Sequence, residues 1–212
     1  MNTPPPSPLS RPQTRPVAAF DFDGTLTYRD SFTAFLYDSC GFFRVAMAFL
    51  TGPDLWLHYL VTGDRGVLKA RLIYKLLGPI ARAKLDGRVA QFISGRGIAL
   101  FRPDARAEWD RCKREGYERV IVTASPEILV RPLGEMIGAD RVIGTRLAFS
   151  ADGRLTPKLD GVNCRGAEKV RRLREAYGDG LDLDLAFGDT SGDKAMLKAA
   201  RKGHYRVFKG KP

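Results

Sequence analysis

The stretch "VAAFDFDGTLTYRD", residues 17–30, constrains this chain more than any other. Val17 to Phe22 is a short apolar run of the kind expected of a parallel strand buried on both faces. It carries two aspartates one residue apart, Asp21 and Asp23, followed at once by Gly24 and Thr25. Like charges that close repel. A strand does not need them, and a turn would be content with one. The strand end therefore has to face something that compensates two carboxylates. Gly24 lets the backbone turn sharply enough for both to face it.

Four more apolar runs follow: "RVIVT" ending at Thr123, "RVIGT" around Val142, "LDLAF" ending at Phe187 and "HYRVF" near the C-terminus. Helical segments lie between them. "DARAEWDRCKREG" has Asp104 as N-cap and stops at Gly116. "SPEILVRPLGEMIG" has Ser125 as N-cap and Pro126 at the first helical position, with Pro132 marking a kink. "GAEKVRRLREAYG" runs to Gly178, and "SGDKAMLKAARKG" runs to Gly203. Strands alternating with helices of this length imply an α/β fold with a doubly wound parallel sheet. "LAFSADGRLTPKL" reads as a hairpin turning at Asp152-Gly153.

Residues 28–103 are helical in pattern and too long for a βα loop, so they are expected to form an inserted helical cap domain. Residues 17–27 and 104–212 then form the core domain. Residues 1–16, rich in proline and without an apolar stretch, read as a disordered arm and not as a signal peptide. In the cap, "GFFRVAMAFLTGPDLWLHYLV" is strongly apolar, but Gly52-Pro53, Arg44, Asp54 and His58 interrupt it, which argues against a spanning helix. It reads either as a helical hairpin packed on itself or as an interfacial patch for lipid or a lipid-like substrate.

The net charge of +11 is high for 212 residues. It suits an anionic substrate or an anionic membrane surface. Nothing resembles an aromatic-studded RNA motif or zinc-finger spacing, so nucleic acid is not the expected partner. Cys40, Cys112 and Cys164 are odd in number and widely spaced, which argues against a disulfide framework and suits the cytoplasm, with membrane association left open by the cap.

In an open parallel sheet, ligands bind beyond the carboxyl ends of the strands. Three strands here end in polar residues: Asp21, Phe22, Asp23; then Thr123, Ala124, Ser125; then Gly188, Asp189, continuing to Asp193. If the first strand lies between the other two, four aspartates and two hydroxyls share one small volume. A divalent cation relieves that crowding, and hard oxygen ligands point to Mg²⁺.

"DFDGTLT", "VIVTAS", "NCRGAEK" and "FGDTSGD" resemble the four successive motifs of the haloacid dehalogenase-like hydrolase superfamily. The helical insertion after the first motif resembles the cap of subfamily IB, which includes phosphoserine phosphatases and the phosphatidylglycerophosphatase C type. The resemblance implies a Rossmann-like core with a C1-type cap and a Mg²⁺-dependent phosphatase. Asp21 would be the nucleophile, forming an aspartyl-phosphate. Asp23 would protonate the leaving oxygen and then activate water. The Asp23 carbonyl and the carboxylates of Asp21 and Asp189 would hold the metal, with Asp193 on the same loop. Gly24, Thr123 and the Ala124 amide, at a helix N-terminus, would meet the phosphoryl group.

The required cation is either Arg165, where phosphoserine phosphatases place a lysine, or Lys169, where the other group uses one. The two are four apart, on one helix face. Lys169 is favoured, because a compact ammonium fits beside Asp21 more easily than a guanidinium. A dehalogenase of this family lacks the second aspartate and P-type ATPases carry threonine there, so Asp23 favours phosphomonoester hydrolysis; a phosphomutase would keep both aspartates. For the substrate, phosphoserine phosphatases carry a glutamate where this chain has Asp30 and a cap arginine near Lys69 and Arg71. The apolar cap leans toward a lipid or other amphiphilic phosphate such as phosphatidylglycerophosphate. The alternatives are a phosphoserine-type metabolite phosphatase and a non-catalytic regulatory protein on the same scaffold.

Overall fold

The computed structural model describes residues 15–51 and 64–212. Its centre is a five-stranded parallel sheet in the order β3-β2-β1-β6-β7, with an antiparallel β4-β5 pair outside it. Along the chain, β1 (Val17–Phe20) is followed by α1 (Ser31–Cys40), α2 (Phe42–Leu50), α3 (Arg65–Leu77) and α4 (Arg82–Phe92). A π turn and a 3-10 turn lead to α5 (Pro103–Arg114), β2 (Glu118–Pro126), α6 (Glu127–Met136) and β3 (Arg141–Thr145). Then come β4 (Leu147–Phe149), β5 (Leu155–Leu159), α7 (Ala167–Tyr177), β6 (Leu183–Gly188), α8 (Lys194–Ala199) and β7 (Lys202–Tyr205).

The double winding follows from β1. All four of its residues are buried, and successive strand side chains point to opposite faces. Ala18 and Phe20 join one apolar cluster with Trp109 of α5 and Leu129 and Leu133 of α6. Val17 and Ala19 join another with Leu173 and Tyr177 of α7 and Met196 of α8. Phe20 stacks on Phe187 with centroids 4.3 Å apart and meets Trp109 edge-on at 4.9 Å. The indole N–H of Trp109 donates to the Ile137 carbonyl at 3.0 Å, so its one polar atom is satisfied inside the core.

The helices α1 to α4 lie between β1 and β2 in the chain. Their apolar residues, among them Phe35, Leu36, Ile73, Leu85 and Phe92, continue the cluster that covers the Phe20 face of the sheet. The inserted segment also meets the β4-β5 hairpin, where Arg82 N–H donates to Gly153 O at 2.9 Å and Leu155 N–H to Ile80 O at 2.9 Å. Gly41 separates α1 from α2 with φ of +79°, a conformation that glycine adopts without a steric penalty, and the two helices diverge by 109°. No single helix among the described residues is long and apolar enough to cross a membrane.

Several local expectations are corrected. Strand β2 runs on to Pro126, which caps α6, so Ser125 and Pro126 precede the helix. Arg102 and not Asp104 caps α5; Asp104 instead accepts the amides of Lys209 and Gly210 at 2.6 and 2.8 Å, pinning the C-terminal tail. Helix α8 stops at Ala199, short of Gly203, because Lys202–Tyr205 pairs with β6 as a strand. That strand ends at Tyr205, just before Arg206, where φ is +54°. Gly203 is needed for close approach, since a Cβ there would press on the Leu197 carbonyl. Residues 1–14 of the expected arm lie outside the described residues, but Arg15 and Pro16 join the core: Arg15 donates to Tyr117 O at 2.7 Å and Pro16 O accepts Glu118 N–H at 2.8 Å. The Gly52-Pro53 break, Leu55 and Trp56 also lie outside the described residues. All three cysteines are unpaired and buried.

The fully buried Trp109 fills the junction of α5 with the sheet. Trp109→Ala should cost about 3–5 kcal/mol, read as a lower urea midpoint at unchanged slope. Trp109→Phe should cost much less.

Candidate active site

The carboxyl ends of β1, β2 and β6 converge as expected, because β1 lies between the other two. The loop after β1 is held by Asp21 N–H to Phe187 O at 2.9 Å, Gly24 N–H to Thr27 O at 3.0 Å and Thr27 N–H to Phe22 O at 3.0 Å. Gly24 has φ of +87°, and a Cβ there would collide with the Asp189 carboxylate. The glycine thus serves both the turn and the close approach of two acidic loops. Thr25 Oγ1 donates to Asp189 Oδ1 at 3.2 Å across the same gap.

Lys169, one turn into α7 and 1 % exposed, spends all three ammonium protons here. Its Nζ donates to Asp21 Oδ1, Asp193 Oδ1 and the Val122 carbonyl, each at 2.6 Å. The other oxygen of Asp193 accepts the amides of Asp189 and Thr190 at 3.2 and 2.8 Å and the Thr190 hydroxyl at 2.8 Å. Carboxylate oxygens of Asp21, Asp189 and Asp193 lie within 4.8 Å of one another. Three carboxylates against one ammonium leave two negative charges uncompensated, and hard oxygen donors of that number fit a divalent cation such as Mg²⁺.

Burial pushes the Asp21 carboxyl up to about 7, against the pull of Lys169. Burial and then Asp193 raise that of Asp189. For Asp193, burial acts upward, but Lys169 and the Thr190 donors bring the net below the ordinary value. For Lys169, burial acts downward and is outweighed by Asp21 and Asp193, so the ammonium is held charged.

Asp23 faces elsewhere. Its Oδ1 accepts the Ser31 amide at 2.6 Å and its Oδ2 accepts the Ser125 hydroxyl. Burial first and Asp30 second raise its pKa. Its carboxylate is therefore outside the three-carboxylate cluster of Asp21, Asp189 and Asp193. Pairing of β2 with β3 breaks between Val122 and Pro126, so Thr123, Ala124 and Ser125 leave the ladder and line the cavity. Ala124 sits at a strand end, three residues before α6, and not at a helix N-terminus as expected.

Arg165 precedes α7, which starts at Ala167, so it shares no helix face with Lys169. Its guanidinium packs over Gly192 and donates to Ser191 Oγ at 2.9 Å, at the edge of the cavity. The cavity measures about 150 Å³. Its far wall comes from the inserted helices and includes Asp30, Arg65 and Lys69; Arg71 is not part of it. Lys69 Nζ donates to Ser125 Oγ at 2.8 Å and to Asp30 Oδ2 at 3.3 Å. The role of Ser125 was missed in the sequence. The available signal was its spacing from Thr123, since residues i and i+2 at a strand end share a face. Arg65 and Asn163 also line the cavity; Asn163 opens the motif-like stretch "NCRGAEK", whereas no pattern in the sequence marks Arg65.

A central parallel sheet with carboxylates gathered at its carboxyl edge is the arrangement of the haloacid dehalogenase-like hydrolases, and the chain belongs to that family, matching it over residues 18–198. It is 44 % identical over 196 residues to protein CicA of Caulobacter vibrioides, covering 92 % of this chain and 88 % of that one. Among solved structures, a Bordetella pertussis protein of unknown function has a TM-score of 0.72 at 23 % identity, covering 88 % of this chain and 87 % of that one. A phosphoserine phosphatase solved as a phospho-aspartyl intermediate analogue has a TM-score of 0.57 at 20 % identity, covering 89 % and 84 %. These two share the fold.

The two candidate cations differ in what they support. Lys169→Met would leave two buried carboxylates facing each other and should destabilise the protein by about 3–5 kcal/mol. Arg165→Ala, at the cavity edge, should change stability by less than about 0.5 kcal/mol. Urea unfolding of the two variants checks the difference.

Proposed function

We propose that the chain is a Mg²⁺-dependent phosphomonoester hydrolase that works through an aspartyl-phosphate on Asp21. The observation that carries this is the division of labour between two neighbouring aspartates. Asp21 is fixed by Lys169 inside the carboxylate cluster, and Asp23 is held apart from it by Ser31 and Ser125. Asp21 attacks phosphorus in line, and Asp23 gives a proton to the leaving oxygen and then takes one from the hydrolytic water. The Thr123 hydroxyl and the Ala124 amide offer donors to the phosphoryl oxygens, whose charge grows in transfer, and the Lys169 ammonium sets a positive charge beside them. Asp21, Asp189 and Asp193, with the Asp23 carbonyl, would hold Mg²⁺. Bound there, it neutralises charge shared by the nucleophile and the phosphoryl group. The described helices within residues 28–103 would act as the cap, closing the cavity from the side of Asp30, Arg65 and Lys69. None of the residues this chemistry needs is missing, which weighs against a purely regulatory role.

With p-nitrophenyl phosphate and Mg²⁺, Asp21→Asn should abolish turnover while leaving the fold intact, and beryllofluoride should inhibit. Retention of more than about a tenth of wild-type kcat by the variant would overturn the covalent route. Lys169→Ala should lose on the order of 3 kcal/mol of transition-state stabilisation. Arg165→Ala should act mainly on KM.

For the substrate, we favour an amphiphilic phosphate at an anionic lipid surface over phosphoserine. On α2, Phe42 is 69 %, Phe43 78 % and Leu50 78 % exposed, beside the half-exposed Tyr37 and Met47. Phe49 is half-buried and Arg44, exposed on the same helix, donates to Leu76 O at 3.2 Å. Basic Arg88 and Arg96 approach the end of α1 at Ser39 and Asp38, Lys75 reaches the Thr51 carbonyl at the end of α2, and the chain carries +11 overall. Such a face combines apolar insertion with attraction to anionic headgroups. Cosedimentation with phosphatidylglycerol vesicles should exceed that with phosphatidylcholine vesicles and weaken as salt rises. Absence of binding to either at low salt would return the reading to a soluble phosphate ester.

A further inference from the structure

The hydrogen bonds around Asp23 run in a line from the core to the inserted helices. Ser125, on the core strand β2 and 1 % exposed, donates its hydroxyl to Asp23 Oδ2. Ser125 Oγ in turn accepts from Lys69 Nζ at 2.8 Å, and Lys69 belongs to α3. Lys69 is itself aimed by Asp30 Oδ2 at 3.3 Å. The backbone amide of Ser125 donates to Thr123 Oγ1 at 3.0 Å, which fixes the base of the serine beside the phosphoryl-binding hydroxyl.

The start of α3 is seated on the core by a second contact. Asp64 caps the helix, taking the Gly66 amide at 2.7 Å, and the same oxygen accepts Asn163 Nδ2 at 3.0 Å. Gly66 lies so close to Asn163 that a Cβ would stand 2.6 Å from its Cγ. Lys69 follows one turn along that helix. Its reach to Ser125 thus requires α3 to be down on the core.

We propose that Ser125 is the positioning residue of Asp23, and that Lys69 makes this positioning depend on α3 being seated. The proposal rests on the phosphatase reading above. As the bond from Asp21 to phosphorus forms, the bond from phosphorus to the leaving oxygen breaks and its electron pair stays on that oxygen. The proton it then needs comes from the Asp23 carboxyl. The Ser31 amide alone leaves the carboxyl free to rotate about one contact; Ser125 supplies the second and sets the plane. A leaving group stable as an anion needs the proton little, and a poor one needs it fully.

The test uses the full chain with Mg²⁺ and reads kcat/KM for 4-nitrophenyl phosphate and phenyl phosphate. That ratio covers the transfer to Asp21 and excludes the later hydrolysis, in which Asp23 acts again. Ser125→Ala should lose about 30-fold more on phenyl phosphate than on 4-nitrophenyl phosphate, part of what general acid catalysis supplies. Ser125→Thr, which keeps the hydroxyl, should recover most of the difference. Lys69→Met should show the same bias more weakly, about 3-fold. An equal loss on both esters, or none, would overturn the role of Ser125, and an unbiased Lys69→Met would overturn the dependence on α3. If Ser125→Ala fails to fold, Ser125→Thr and Lys69→Met decide alone: any bias in Lys69→Met that is absent in Ser125→Thr supports the line of contacts, and its absence overturns it. Wild type inactive on both esters would remove the phosphatase reading and this proposal together, whereas an active wild type with an unchanged leaving-group dependence removes only the proposal.

Discussion

The contact on which the rest of the site depends is the ammonium of Lys169 between Asp21 and Asp193, at 2.6 Å from each. A charge with 1 % exposure is tolerated only when paired and fully hydrogen-bonded, and Lys169 meets that demand with two carboxylates and the Val122 carbonyl. It ties α7 to the ends of β1 and β2 and to the loop after β6. Four segments far apart in the chain are thereby held in one register at the sheet's carboxyl edge. Such a group contributes less to net stability than to specificity of arrangement, because its desolvation offsets much of its attraction.

The fold around this contact was largely legible because its signals are strong and local. The run from Val17 has no polar residue until Asp21, which only a strand buried on both faces requires, and the four motifs in order located every strand end that carries a site residue. Gly24 was read for its turn; its second duty, clearance from the Asp189 carboxylate, depends on a residue 165 positions away and leaves no local trace. The errors share one cause. Ser125-Pro126 and Asp104 carry good capping chemistry, yet strand pairing extends β2 through Pro126, and the C-terminal tail claims Asp104. Tertiary partners outbid local propensity at both places. The spacing of Arg165 and Lys169 misled for a simpler reason: a helical spacing carries meaning only inside the helix, and α7 begins after Arg165.

The division between Asp21 and Asp23 shows how backbone geometry separates two acids one residue apart. If β1 continued, both carboxylates would point to the same face, since side chains alternate with period two. The strand stops at Phe20, and the turn closed by Gly24 and Thr27 leaves Asp21 facing Lys169 while Asp23 is claimed by Ser31 and Ser125. Partners of opposite kind then enforce the difference. Asp21 has a cation and the crowding of like charges; Asp23 has two neutral donors and, one residue further out, the Lys69–Asp30 pair.

That outer pair bears on what enters the cavity. Lys69 and Asp30 satisfy each other across the wall formed by the inserted helices, and Lys69 also spends a proton on Ser125. A charged group entering beside Asp30 would have to break this pair and compensate both partners. A substrate whose recognition lies outside the cavity does not meet that cost. On the amphiphilic-phosphate proposal, its phosphate would sit at the Lys169 end and the remainder would meet surface contacts such as the exposed aromatic side of α2. The self-satisfied wall and the exposed apolar helix are both consistent with the proposed amphiphilic substrate, whose recognition would rest on its surroundings more than on the polar detail of its leaving group.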